Sequence, residues 1–199
     1  VNITGHTGGE KYSGEEQSVT GYDVTSISND LYTKDNFTFT GTAEAKGTDA
    51  GPYKMGLKAA DFANTSKNFT TVEFVVSDGS LTIAKRNVTL TSASASKPYD
   101  GKPLTNDTVT VGGDGFANGE GATYKVTGTQ TEVGRSDNEF TYELTANTKA
   151  SNYNIRMHKG ELEITAADSV AYKVEHYKQN LDGSYNDTPN DIDPLSGTA

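Results

Sequence analysis

An all-β fold is predicted for this 199-residue chain, on three observations. Apolar and polar residues alternate in short segments, the period-two signature of a strand with one wet face. Turn dipeptides punctuate those segments. The same blocks then return in the same order further along the chain. Small β-sandwich domains of Ig-like type are the first expectation and a β-grasp-like arrangement is the alternative, because pattern alone does not set strand order.

The alternating segments are Phe37–Thr40, Val72–Val76, Val88–Thr91, Tyr124–Thr127, Phe140–Leu144, Tyr153–Met157 and Leu162–Thr165. Each sends apolar groups to one face and Thr, Lys, Glu or Arg to the other. Asp78-Gly79, Asp100-Gly101, Asp114-Gly115 and His158-Lys159-Gly160 supply the turns. Leu57–Asn64 has an Ala-rich, helix-like look but is too brief to carry a stable helix.

The repeat is read from matched blocks. Tyr12 in Lys11-Tyr12-Ser13-Gly14 stands 87 positions before Tyr99 in Pro98-Tyr99-Asp100-Gly101. At the same offset Phe37–Gly41 matches Tyr124–Gly128, and Tyr53–Leu57 is set against Phe140–Leu144. Thr48-Asp49-Ala50-Gly51 matches Thr131-Glu132-Val133-Gly134, Lys67-Asn68-Phe69 matches Ser151-Asn152-Tyr153, and Gly79–Ile83 matches Gly160–Ile164. The predicted organisation is a first repeat at 1–86, a second at 87–167 and the start of a third unit at 168–199. The joins Ile83–Val88 and Ile164–Val170 hold no Gly/Ser or Pro linker, so a fairly stiff array is expected. In the third unit Val170–Tyr177 reads as a strand and Asn180–Tyr185 as a turn leading to a second. Asn186–Ala199 is polar, acidic and broken by proline, and is expected to be mobile.

Asp and Glu number 27 against 17 Lys and Arg, for a formal net charge of −10. So acidic a chain repels phosphate backbones and anionic membranes, and nucleic acid is not an expected partner. The absence of cysteine excludes disulfides, thiolate catalysis and Cys-ligated metals. No apolar run approaches the ~20 residues that span a bilayer, and no signal peptide or lipidation motif is visible.

No motif in the chain carries recognisable catalytic or metal chemistry. His6, His158 and His176 form no metal-ligand spacing. No G-x-S-x-G elbow and no Walker A motif is present. Gly113–Gly119 is one residue too long for a dinucleotide loop and opens no helix. Asp182, Asp187, Asp191 and Asp193 do not match an EF-hand spacing. No cofactor and no catalytic or metal residue is assigned. A Lys–Asn crosslink assisted by an acid would need a buried lysine, and no motif picks one. Sequons such as Asn36-Phe37-Thr38 and Asn68-Phe69-Thr70 arise freely in a chain rich in Asn and Thr. The recurring positions Tyr12, Gly14, Gly51, Tyr99, Asp100, Gly101, Gly134 and Tyr153 read as scaffold. Gly14 and Gly101 suit a tight turn, and Tyr12 and Tyr99 would lay their rings on the core edge with the hydroxyl near a partner.

With the repeats aligned, Lys97–Leu104, Thr131–Gly134, Asn152-Tyr153 and the closing Gly160-Glu161-Leu162-Glu163-Ile164 resemble bacterial surface-protein repeats of the MBG or YDG type. The first repeat departs from that pattern at Ser13 and Phe69. Tyr172–Tyr177 followed by Asn180–Gly183 resembles the start of a MucBP-like repeat. The resemblance implies a non-enzymatic region of a Gram-positive adhesin, extracellular at the cell surface or cell wall. It would act as a stalk or spacer, or else bind host mucin, glycan or matrix protein itself. Neighbouring repeats of the same chain are its implied partners, direct membrane insertion is not expected, and the fragment is expected to be a monomer.

Overall fold

The computed structural model describes residues 1–167 and 169–198. Strands hold 50% of the residues and helical turns 5%, in several small sheets of a sandwich-type, all-β fold. The helical turns are short 3-10 segments, at Lys34–Asn36, Ala59–Asp61 and Ala150–Asn152. No α-helix occurs among the described residues, so the β-grasp alternative lacks the helix that would cross its sheet.

The strands pair in three sets. The first comprises β1 (Asn2–Gly5), β2 (Thr7–Lys11), β3 (Gln17–Thr20), β4 (Tyr22–Ser26), β5 (Phe37–Phe39), β6 (Glu44–Gly47), β7 (Gly51–Lys54), β8 (Phe62–Asn64), β9 (Val75–Ser77) and β10 (Ser80–Ala84). Their sheets run β4-β1-β9, β2-β10-β7, β3-β6 and β5-β8. The second set comprises β11 (Arg86–Ser92), β12 (Ala95–Pro98), β13 (Val109–Gly113), β14 (Ala122–Val126), β15 (Gly134–Asp137), β16 (Phe140–Leu144), β17 (Tyr153–His158) and β18 (Glu161–Thr165). Their sheets run β13-β11-β17, β12-β18-β15 and β14-β16. The third is the antiparallel pair β19 (Ser169–His176) and β20 (Asp191–Thr198). The closing strand has the same neighbours in both large sets: β10 runs parallel to β2 and antiparallel to β7, as β18 does to β12 and β15.

By packing, the chain divides into two compact units. One is Val1–Leu90, Val111–Thr123 and Tyr142–Met157, and the other is Thr91–Thr110, Tyr124–Thr141 and His158–Ala199. The first unit buries Ile3, Leu81, Ile83, Val88 and Leu90. In β10 the alternation is plain: Leu81 and Ile83 face inward while Thr82 and Ala84 face water. The same unit holds an aromatic cluster, Phe37 against Phe62 and Phe74 at 6.0 and 5.4 Å, with Tyr22 against Phe39 and Phe62 at 5.0 and 5.2 Å. Each such side chain, fully buried, contributes roughly 1.5–3 kcal/mol.

The second unit buries Phe140, Leu162 and Ile164 around a polar knot. The Asn138 amide, fully buried, donates to the carbonyls of Ala93 and Asn106, both at 2.8 Å. Ser92 Oγ donates to Asn138 O at 2.6 Å and accepts from Gly160 N–H at 2.9 Å. Buried donors paired in this way fix a unique arrangement that apolar packing leaves looser, while the Asn138 amide oxygen is buried there without a partner.

Several sequence expectations are corrected. Tyr53 lies on β7 and faces Leu81 of β10, whereas Phe140 lies on β16 beside β14. The counterpart of Phe140 is therefore Phe62 of β8, beside β5, and the Tyr53–Leu57 match falls. Chemical likeness at one offset misled there, because the loop between β7 and β8 differs in length from that between β15 and β16. Within Val72–Val76 only Val75 and Val76 are in a strand. Leu57–Asn64 holds one 3-10 turn and then β8. Asn186–Ala199, read as mobile, contains β20, which pairs along its length with β19, from His176↔Asp191 to Ser169↔Thr198. Backbone pairing supplies that strand despite Pro194, which a two-stranded ribbon tolerates on an edge. The ends of the predicted third unit, Asp168 and Ala199, lie outside the described residues.

Candidate functional site

The densest polar arrangement in the first unit gathers around Tyr12. This residue leaves β2 and is pinned to the closing strand by its N–H, which donates to Ala84 O at 2.8 Å. Gly14 then turns the chain with φ 86°, a left-handed angle that costs a residue with a Cβ about 1–2 kcal/mol. Tyr12 is 4% exposed. Its ring meets that of Tyr153 edge to face, 5.6 Å between centroids.

Tyr153 opens β17 directly after the Ala150–Asn152 turn. Its hydroxyl accepts from Ala117 N–H at 3.0 Å and donates to Glu120 Oε2 at 2.6 Å. The Tyr12 hydroxyl donates to Glu120 Oε1. One carboxylate thus takes both phenols, and Phe116 packs against Tyr153 with ring centroids 5.1 Å apart. Burial, and then the bond to Glu120, push both tyrosines up to about 12.

Two flanking contacts complete the arrangement. Asn152, fully buried, donates to Asp49 Oδ1 at 3.0 Å and accepts from Ala50 N–H at 2.8 Å. Lys149 Nζ reaches Asp49 Oδ2 at 2.8 Å. The Lys149 ammonium, with the Asn152 amide second, holds the Asp49 carboxyl below its usual range. On the other flank Lys11 meets Asp114 Oδ1 at 2.5 Å, and Arg86 Nε donates to Gly115 O at 2.8 Å.

Chemically this is a joint. The carboxylate of Glu120 is taken by two hydroxyls, each hydroxyl is used, and no base stands beside a free nucleophile in it. Lys149, Asp49 and Asn152 do bring a lysine, an acid and an asparagine together, yet the lysine side chain is 65% exposed, against the buried lysine a Lys–Asn crosslink would need.

The predicted scaffold residues separate into those that meet and those that do not. Tyr12, Gly14 and Tyr153 come together at the joint. Gly51 and Gly134 open β7 and β15. Tyr99, Asp100 and Gly101 lie in the second unit and repeat the local geometry of Tyr12: Tyr99 N–H donates to Thr165 O at 2.9 Å and Gly101 has φ 75°. Asp100 accepts from Lys97 Nζ at 2.7 Å and from Lys102 N–H at 3.0 Å, which holds its carboxyl low. Unlike Tyr12, Tyr99 is 36% exposed, and Val133, next to Gly134, is 56% exposed. His6 and His176 each sit on a surface Asp, Asp23 at 3.4 Å and Asp193 at 3.1 Å, and His158 is exposed at the end of β17. No group of three or more His, Asp or Glu among the described residues is placed to hold a metal.

Glu120 went unread in the sequence. It stands between Gly119 and Gly121 in a loop whose glycines speak only of turns, and it shares that loop with a second acid, Asp114, so nothing in the sequence singled it out. No family model, curated protein or solved structure matches the chain.

Proposed function

We propose that the chain is a non-enzymatic repeat region of a bacterial cell-surface adhesin, a spacer of MBG/YDG-like repeats followed by a MucBP-like unit, which projects a binding region from the cell wall. The observation that carries this reading is the joint. Residues from the recurring motif blocks, Tyr12, Asp49 and Asn152-Tyr153, are spent on one another. A spacer calls for recurring positions that hold neighbours in register, and buried, mutually satisfied hydrogen bonds do that. The location at the cell surface rests on the resemblance of the motifs.

The second reading is that the repeats themselves bind mucin, another glycan or a host matrix protein. Exposed aromatics favour it, since Tyr99, Tyr177 and Tyr185 are 36%, 40% and 58% exposed and aromatic rings with a polar tip suit such surfaces. A binding screen of the folded fragment against immobilised mucins, glycans and matrix proteins separates the two. The spacer reading expects silence across the panel. Saturable binding that disappears in Tyr99→Ala or Tyr185→Ala would replace it with the adhesive one.

A further inference from the structure

The first unit carries a cavity of about 290 Å³ lined in part by Ile27, Ser28, Asn29, Tyr32, Phe69 and Glu73. Its aromatic wall repeats the one that seats Tyr12. Tyr32 and Phe69 meet edge to face at 5.2 Å, as Phe116 and Tyr153 meet at 5.1 Å. Asn68 precedes Phe69 as Asn152 precedes Tyr153. In the joint that wall is covered by a tyrosine turn; at the cavity the equivalent wall is open. Among the described residues there is one further tyrosine turn with the geometry of Tyr12 and without its cover, Tyr99–Asp100–Gly101, with exposed Val133 in the block equivalent to Asp49-Ala50.

We propose that the Tyr32/Phe69 cavity is a docking seat for the Tyr99–Asp100–Gly101 turn of a second copy of this chain, reproducing between molecules the joint that Tyr12 makes within one. The Tyr99 ring enters edge-on against Phe69, and its hydroxyl donates to an acceptor at the cavity wall, Glu73 or Asn29, in the role that Glu120 plays for Tyr12. Val133 N–H is the counterpart of Ala50 N–H and meets the Asn68 amide oxygen. Among its described residues each copy offers this seat and this turn on different surfaces, so the contact is head-to-tail and adds further copies instead of closing on a pair. This departs from the monomer expected from sequence and does not depend on the adhesin reading.

Sedimentation of the whole fragment tests it, at about 0.15 M salt, where the Debye length of about 8 Å screens the repulsion between two chains of net charge −10. The expected result is an average mass that climbs with concentration through dimer and beyond, up to roughly 1 mM, the regime of weak contacts. Tyr99→Ala removes the turn's ring, and Ser28→Arg obstructs the cavity from its exposed rim without touching the aromatic pair. Each is expected to weaken self-association at least about tenfold, the usual cost of losing a buried tyrosine anchor. Mixed one to one they should form a dimer that goes no further, because one retains the seat and the other the turn. A wild-type chain that stays monomeric overturns the proposal. So does association that survives both substitutions, or a mixture that restores nothing.

Discussion

At the scale of single residues, Glu120 is the group on which the joint depends. Glu120→Ala leaves the Tyr12 and Tyr153 hydroxyls without an acceptor, at about 1–3 kcal/mol for each buried group orphaned. Urea denaturation of the first unit's signal should show that loss. Replacing all three together, with Tyr12→Phe, Tyr153→Phe and Glu120→Leu, is expected to recover part of it, since the Ala117 N–H that Tyr153 accepted is then the one group of the joint left without a partner. An equal loss in the triple variant would place the stabilisation in ring packing instead. The same tyrosines set an alkaline limit. Both are pushed up to about 12 by burial and by Glu120, while a phenol in the unfolded chain ionises near 10. A group whose pKa is raised by folding stabilises the fold fully below its unfolded pKa and loses that contribution as pH rises through the folded value. Melting temperature should therefore fall between about pH 10 and 12, with late-ionising phenols seen by phenolate absorbance. Tyr12→Phe with Tyr153→Phe should flatten that fall.

At the scale of elements, two glycines matter for space and not for dihedral freedom. A Cβ on Gly160 would lie 2.5 Å from Ala93 C, and one on Gly79 would lie 2.5 Å from His6 O. Backbone stands in the way at both, just before β18 and β10, so no flexible side chain can give. Gly160→Ala and Gly79→Ala are each expected to cost about 1–3 kcal/mol by overpacking. Gly101→Ala meets nothing within 4 Å and should cost only the left-handed strain, about 1–2 kcal/mol. If the three variants melt alike, close approach is not what holds the closing strands. Asn138 holds the second unit's knot by donating to two backbone carbonyls. Asn138→Ala should destabilise that unit by more than a surface Asn→Ala does, through stranded acceptors worth roughly 1–3 kcal/mol each. Amide exchange at Asn138 and Gly160, whose N–H groups donate to Gly160 O and Ser92 Oγ, reports it directly.

At the scale of the whole molecule, net charge governs the response to salt. A charge of −10 repels itself in the folded state, and salt screens that repulsion over a Debye length that shrinks from about 30 Å at 0.01 M to about 8 Å at 0.15 M. Local ion pairs, such as Lys149 with Asp49 and Arg135 with Glu161 and Glu163, are exposed and worth little. Adding salt over that range is therefore expected to raise the melting temperature. A fall would mean that the pairs outweigh the net charge.

The sequence by itself determined the class. Alternation in β5, β11, β14, β16, β17 and β18 was legible because each sends Phe, Tyr, Leu, Ile or Val to one face, and burial of one face demands period two. It also carried the repeated blocks, save where Tyr53 was set against Phe140. The strands it did not show, among them β2 with Gly8-Gly9-Glu10 and β15 with Arg135-Ser136-Asp137, hold little apolar side chain. Their register comes from the strands beside them, β10 and β18, and a backbone ladder leaves no trace in composition. The joint was half legible. Tyr12, Gly14 and Tyr153 recur and so stood out, but Glu120 and Asp49 are acids among 27 and gain their role only by position. Only the tertiary structure decided which acid faces which tyrosine, because that pairing joins residues more than a hundred positions apart in Tyr12 and Glu120, and no local pattern encodes a distance of that kind.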